Sequence, residues 1–258
     1  MKPRVAVHKF SSCDGCQLAF LNLGEDLLTL FEQVDVLHFA EAGPVDLSAE
    51  VDISFVEGSI TTPDEIERIR EVRKNSKYVV TIGACATAGG LQALRNLSDS
   101  GEWMAAIYAT PEHIDTLDAV APVSEHVKVD RELWGCPVNS RQLLAAINSL
   151  LAGVVPRDES DSVCLECKRQ GHACVMVTRG MPCMGPVTRS GCGALCPGVD
   201  RGCYGCYGPC EKPSTEALAH WFAGLGLTPE QIAQRFLAFT PEAPAFYAAG
   251  RSRLTSDD

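Results

Sequence analysis

Thiols carry whatever chemistry this sequence performs. It holds thirteen cysteines, and nine of them crowd into one stretch: Cys164, Cys167, Cys174, Cys183, Cys192, Cys196, Cys203, Cys206 and Cys210. A lone cysteine is most often a small buried hydrophobe, but nine in so short a span form a ligand set. The N-terminal Met1-Lys2-Pro3-Arg4-Val5-Ala6-Val7 has no apolar export segment and no twin arginine, so a cytoplasmic setting is expected. Disulfides rarely persist there, and metal binding becomes the expected use. Two [4Fe–4S] cubanes would consume eight of the nine and leave one spare. Zinc is the competitor, since zinc ribbons also use Cys-x-x-Cys pairs.

The four upstream cysteines stand apart, in three glycine-bearing segments. Cys13 and Cys16 lie in Ser12-Cys13-Asp14-Gly15-Cys16-Gln17, Cys85 in Ile82-Gly83-Ala84-Cys85-Ala86, and Cys136 in Trp134-Gly135-Cys136-Pro137. The first two segments follow patterns read as strands, and Cys136 precedes a helix. Ligands of open parallel α/β sheets bind outside the carboxyl ends of strands, so these segments are expected on one rim. Four thiolates from three loops match the demand of one cubane. The adjacent glycines let backbone N–H groups approach the sulfurs.

The elements that must position these segments are legible as alternating β and α patterns. Arg4–His8, Val34–Phe39, Val51–Val56 and Lys77–Ile82 read as strands, and Val127–Val129 as a weaker one. Gln17–Phe31 reads as a largely apolar helix. Pro63 opens another through Arg73 with Thr62 as its N-cap. A third runs from a Ser140 cap to Leu151 and is stopped by Gly153 and Pro156. Strands alternating with helices predict a flavodoxin-like, doubly wound parallel sheet over residues 1–156.

Residues 157–258 are expected to form a second, cysteine-rich domain. Its first part is polar, rich in cysteine, glycine and proline, and lacks periodicity, so bound metal is expected to order it. Two short helices are expected after Cys210, the second begun by the capping box Thr228-Pro229-Glu230-Gln231.

Composition narrows the partners. A net charge of −11 and a pI near 5.0 exclude a nucleic-acid backbone or an anionic membrane as the natural partner. No stretch approaches a membrane span, and no Gly-x-Gly-x-x-Gly marks a nucleotide site.

The segments Cys13-Asp14-Gly15-Cys16, Gly83-Ala84-Cys85-Ala86 and Gly135-Cys136-Pro137-Val138-Asn139 resemble those that ligate the proximal cluster in [NiFe]-hydrogenase small subunits. The related complex I small subunit usually has adjacent cysteines in its first loop, which this chain does not. Glu57-Gly58-Ser59 matches a Glu-Gly segment of the family and suggests a proton-path or interface role for Glu57. Pro182-Cys183-Met184-Gly185-Pro186-Val187-Thr188, with Cys192 and Cys203-Tyr204-Gly205-Cys206 following, resembles the segment where one cysteine closes the distal cluster and the next ones serve the medial cluster.

The resemblance implies a distal [4Fe–4S] cluster on Cys164, Cys167, Cys174 and Cys183, with Cys164 standing where many members have histidine. It implies a medial [4Fe–4S] cluster on Cys192, Cys196, Cys203 and Cys206. Respiratory-type members carry a proline near Cys196 and a three-iron cluster. Cys210 is then the spare, with Cys196 the alternative, and His172 is not needed as a ligand. By the same resemblance the chain is an electron-transfer subunit. The nickel–iron centre would sit on a large partner subunit, and FAD and NAD(P) on further flavin-binding and ferredoxin-like iron–sulfur subunits. The cysteine-rich tail most resembles the delta subunits of sulfhydrogenase-type NAD(P)-linked hydrogenases. The rivals are the small subunit of another iron–sulfur oxidoreductase related to complex I, and a zinc-ordered scaffold.

Overall fold

The structure, a computed structural model, describes residues 2–41, 43–156 and 160–255. Five parallel strands form one sheet: β1 (Arg4–Lys9), β2 (Asp35–Phe39), β3 (Val51–Glu57), β4 (Ser76–Ile82) and β5 (Arg131–Leu133). Their order is β2-β1-β3-β4-β5, the flavodoxin-like arrangement. The central strands bury both faces, so they read as nearly continuous apolar runs. Val5, Val7, Ile53, Phe55, Val80 and Ile82 point into one core. That core is roofed by α1 (Gly15–Leu21), α2 (Glu25–Gln33) and α6 (Ser140–Leu151). Val56 and Val79, one residue out of phase, point into a second core against α3 (Pro63–Lys74).

Four strands fall where the apolar runs place them, and α3 begins as expected, with the Thr62 hydroxyl accepting from the Glu65 amide at 3.3 Å. Three expectations need correction. The Gln17–Phe31 helix is two helices, because Gly24 takes a positive φ of 61° and turns the chain between α1 and α2. Val127–Val129 is not a strand: Val127 and Val129 pack into the second core, and Arg131–Leu133 pairs with Val80–Ile82 instead. Asn139, not Ser140, caps α6, its carboxamide oxygen accepting from the Arg141 and Gln142 amides.

The cysteine-rich segment has more regular structure than its composition suggests. It contains α7 (Val163–Arg169), α8 (Val175–Arg179) and α9 (Leu195–Gly198), and three helices follow rather than two: α10 (Thr215–Gly224), α11 (Pro229–Leu237) and α12 (Pro244–Leu254). The capping box at Thr228 is present. Val163, Val175, Met184 and Val187 share a third core with Phe222, Phe236 and Phe246, so the tail helices supply the apolar surface that the cysteine-rich segment lacks. Ala88 and Trp134 of the α/β unit join this core. A short α4 (Gly83–Ala88) follows β4, and α5 (Ser100–Ile107) lies on the surface without a buried residue. The expected boundary after residue 156 abuts residues 157–159, which lie outside the described residues. Among the described residues no helix is long and apolar enough to cross a membrane.

One buried pair ties the sheet to pH. His8 on β1 stacks on His38 of β2 with ring centroids 4.7 Å apart, and the Nδ1 atoms of both are buried without a partner among the described residues. Burial first, then His38 and Arg68, holds the His8 imidazole down to about 3. The folded state therefore keeps His8 neutral, and the stability that depends on this is fully present above about pH 6.5 and drains as pH falls toward 3. Between pH 7 and 5.5 the loss from His8 should be about 1 kcal/mol. Urea unfolding midpoints should fall less steeply over that interval in His8→Phe than in the unsubstituted protein. Equal slopes would show that His8 is charged in the fold.

Candidate metal centres

The rim at the carboxyl ends of β1, β3, β4 and β5 brings together Cys13, Cys16, Cys85 and Cys136. Ala84, opening α4, donates its amide to the Gly135 carbonyl at 2.7 Å, which ties the Cys85 segment to the Cys136 loop. The Val138 amide points at the Cys16 sulfur at 3.5 Å. Gly83 sits between these segments at φ 85°, and a Cβ there would collide with Cys16 Sγ, so only glycine fits. Burial and then the neighbouring Cys136 and Cys13 push the Cys85 thiol up to about 12. Burial likewise raises Cys16, with Glu57, Cys85 and Cys136 adding to it, and Cys13 adds to the rise at Cys136. Four thiols thus face one another, and for Cys16, Cys85 and Cys136 burial opposes ionisation until a cation compensates the charge.

Glu57 is not at the surface: it is 2% exposed at the end of β3. Its carboxylate accepts from the backbone amides of Cys16 at 2.9 Å and Gln17 at 3.3 Å, at the start of α1. Burial pushes its carboxyl up while these hydrogen bonds pull it down. In this setting Glu57 fixes the first cysteine loop to the sheet.

The second set is Cys192, Cys196, Cys203 and Cys206, which line a single cavity of about 260 Å³. Cys136 of the rim lines it too, as do Val138, Thr188 and Tyr207. The Tyr207 ring closes over Gly135, and a Cβ there would meet it at 2.8 Å. Burial, then Cys192 and Cys136, pushes the Cys206 thiol up to about 12. The first two sets therefore abut through the Cys136 loop.

Cys164, Cys167, Cys174 and Cys183 form the third set. Burial, then Cys183, Cys167 and Cys174, pushes the Cys164 thiol up to about 11. Cys164 and Cys167 ride on α7, and Cys174 precedes α8. Gly185 leaves room beside Cys183 and Cys164, whose sulfurs lie 3.3 and 3.5 Å from where its Cβ would stand. The Cys203 amide of the second set donates to the Cys183 sulfur at 3.1 Å, so the second and third sets also touch. Only Cys13 and Cys174 are exposed, one in each end set.

Cys210 stands outside all three. Its sulfur lies 3.9 Å from the Pro186 carbonyl, and its charged neighbours are Arg189 and Asp161 rather than other thiols. His172 is bonded to Gln170 at 2.8 Å and joins no set. Two residues escaped the sequence reading. Tyr207 had no signal beyond its place after Cys206. Glu166, which accepts three backbone N–H bonds from the Gly191–Ala194 loop, did have one: it is the only carboxylate from Cys164 to Cys196.

Four thiols in each set match the four thiolates that an iron–sulfur cubane takes. Thiolates on one zinc ion stand about 3.8 Å apart, from tetrahedral Zn–S bonds of about 2.3 Å. A cubane offers a separate iron to each thiolate and sets them wider. Among the described residues no three His, Cys, Asp or Glu side chains converge closely enough for one ion.

Residues 13–150 match the family described as NADH ubiquinone oxidoreductase, 20 kDa subunit. The chain is 30% identical to sulfhydrogenase 2 subunit delta of Pyrococcus furiosus over 92% of this chain and 98% of that one. It is 32% identical to a subunit of the F420-non-reducing hydrogenase of Methanothermobacter marburgensis over 82% of this chain and 80% of that one. Among solved structures it resembles a chain of an NAD+-reducing [NiFe]-hydrogenase in the H2-reduced state. That match has 28% identity and a TM-score of 0.56, and covers 61% of this chain and 95% of that one.

Three substitutions test this geometry. Gly83→Ala should drive Cys16 out of the rim set and lower bound iron by about four atoms, one cubane, read by iron and sulfide analysis. Cys210→Ser should leave iron content and the electron-spin spectrum unchanged, whereas Cys206→Ser should remove or convert one cluster. The reverse pattern would make Cys210 a ligand.

Proposed function

The chain belongs to the NADH ubiquinone oxidoreductase 20 kDa subunit family, among its hydrogenase small subunits, and from that premise we propose that it relays electrons through three [4Fe–4S] clusters in a [NiFe] hydrogenase. The observation that carries this reading is the order of the thiols. Three sets of four follow one another, each touching the next, and the two exposed cysteines, Cys13 and Cys174, belong to the two end sets.

In this reading Cys13, Cys16, Cys85 and Cys136 hold the proximal cluster, facing the large subunit that carries the nickel–iron centre. Cys192, Cys196, Cys203 and Cys206 hold the medial one, and Cys164, Cys167, Cys174 and Cys183 the distal one. Clusters so bound supply one-electron transfer. The chain's own residues decide where and at what potential. The Cys136 loop is the common wall of the first two sites, and the Cys203 amide, aimed at the Cys183 sulfur, bridges the second and third. Backbone N–H groups directed at sulfur favour the reduced form, while buried walls keep water away. Glu57 acts by holding the Cys16 amide, a positioning role. Bond-making with hydrogen belongs to the partner subunit, and flavin and NAD(P) or ferredoxin chemistry to further subunits met near Cys174.

The complex isolated without oxygen should contain roughly 12 iron atoms in this chain and as many acid-labile sulfides, from three sites of four. Zinc in place of iron, without sulfide, would sink the reading. The order of the row is tested in the assembled complex. Cys85→Ser should abolish hydrogen-dependent reduction of both artificial dyes and NAD(P). Cys164→Ser should spare much of the dye reduction and lose most of the NAD(P) reduction. Hydrogen–deuterium exchange, which needs no electron exit, should survive in both. Equal loss of dye and nucleotide activity in an intact Cys164→Ser complex would overturn the order.

A further inference from the structure

Glu166 lies on α7 between two thiols of the third set, yet its carboxylate serves the second set. Oε1 accepts from the Gly191 amide at 3.0 Å and the Gly193 amide at 3.3 Å, and Oε2 accepts from the Ala194 amide at 3.2 Å. The Cys192 sulfur is 4.0 Å from Oε2. The loop is bent to make this possible. Gly191, Gly193 and Ala194 all have positive φ, 125°, 70° and 50°, and for an alanine that conformation persists only where the surroundings impose it. Backbone amides turned inward in this way form a concavity for an anion, and here the anion is a side chain of the neighbouring ligand helix. A second contact runs the same way: Gln170, just beyond α7, donates its Nε2 to the Gly193 carbonyl at 3.0 Å.

We infer that Glu166 is a positioning residue that locks the helix bearing Cys164 and Cys167 to the loop bearing Cys192 and Cys196, and that its charge holds the medial cluster at a low potential. The inference rests on the reading that these two sets bind clusters. Two physical effects act in the same direction. A carboxylate beside Cys192 opposes the arrival of an electron. It also occupies the Gly191 and Gly193 amides, which could otherwise turn toward cluster or cysteine sulfur and favour the reduced state.

The test uses the complex isolated without oxygen, with iron and sulfide analysis and a redox titration followed by electron-spin resonance. Glu166→Gln keeps an acceptor oxygen and removes the charge. It should retain full iron, while the medial signal titrates at a higher potential and the proximal one stays put. Glu166→Ala frees the loop, and iron should fall by roughly a third, one cubane of three, with the distal signal retained. An unmoved medial potential in Glu166→Gln, or full iron with an unchanged spectrum in Glu166→Ala, would overturn the inference. A parent complex lacking sulfide would instead overturn the cluster reading beneath it. Should the alanine variant fail to assemble, the glutamine potential alone decides.

Discussion

A buried thiolate is tolerated only beside a compensating cation, and this chain brings twelve thiols together in three partly or wholly buried groups. Burial and mutual repulsion push every one of Cys16, Cys85, Cys164 and Cys206 far up from its ordinary range. With iron bound, the same burial becomes an advantage, since charge in a dry setting is felt strongly. Folding and cofactor binding are therefore one event in thermodynamic terms. The α/β unit has cores of its own on both faces of the sheet. The cysteine-rich segment draws its core instead on Trp134 and on the tail helices.

Contact between the sets follows from how the chain is folded around them. Tyr207 lies on Gly135, and Cys206 looks across a shared cavity at Cys136. Further out, the Cys203 amide reaches the Cys183 sulfur. A continuous path thus leads from the sheet rim to the exposed Cys174, through a middle set that has no exposed cysteine. Placing the exposed cysteines in the end sets suits a relay, because electrons should enter and leave where partners dock.

Two carboxylates do parallel work along this path. Glu57 at the end of β3 receives the amides of Cys16 and Gln17, and Glu166 on α7 receives those of Gly191, Gly193 and Ala194. In each case a loop that must hold cysteines at fixed places is gripped from a different element by an acceptor-only group. A carboxylate suits the task because its two oxygens satisfy several N–H donors that a ligand loop otherwise leaves unpaired.

The sequence by itself determined the parallel sheet, because strands buried on both faces must be largely apolar, as Val51–Val56 and Lys77–Ile82 are. It also pointed to metal as the use of the cysteines, since no packing role explains nine in one stretch. Local chemistry was legible wherever it is complete within one turn, as at the Thr62 cap and the Thr228 capping box. The three-residue strand Arg131–Leu133 was not, because only pairing with β4 makes it a strand. Nor, without the family resemblance, could the letters say how the nine downstream thiols divide between sites. That Cys196 faces the cavity and Cys210 does not, that Glu57 is buried rather than solvated, and that Glu166 reaches across to another set were decided by tertiary structure. The physical reason is the same for all three: each depends on groups far apart in sequence, and proximity of that kind exists only once the chain has folded.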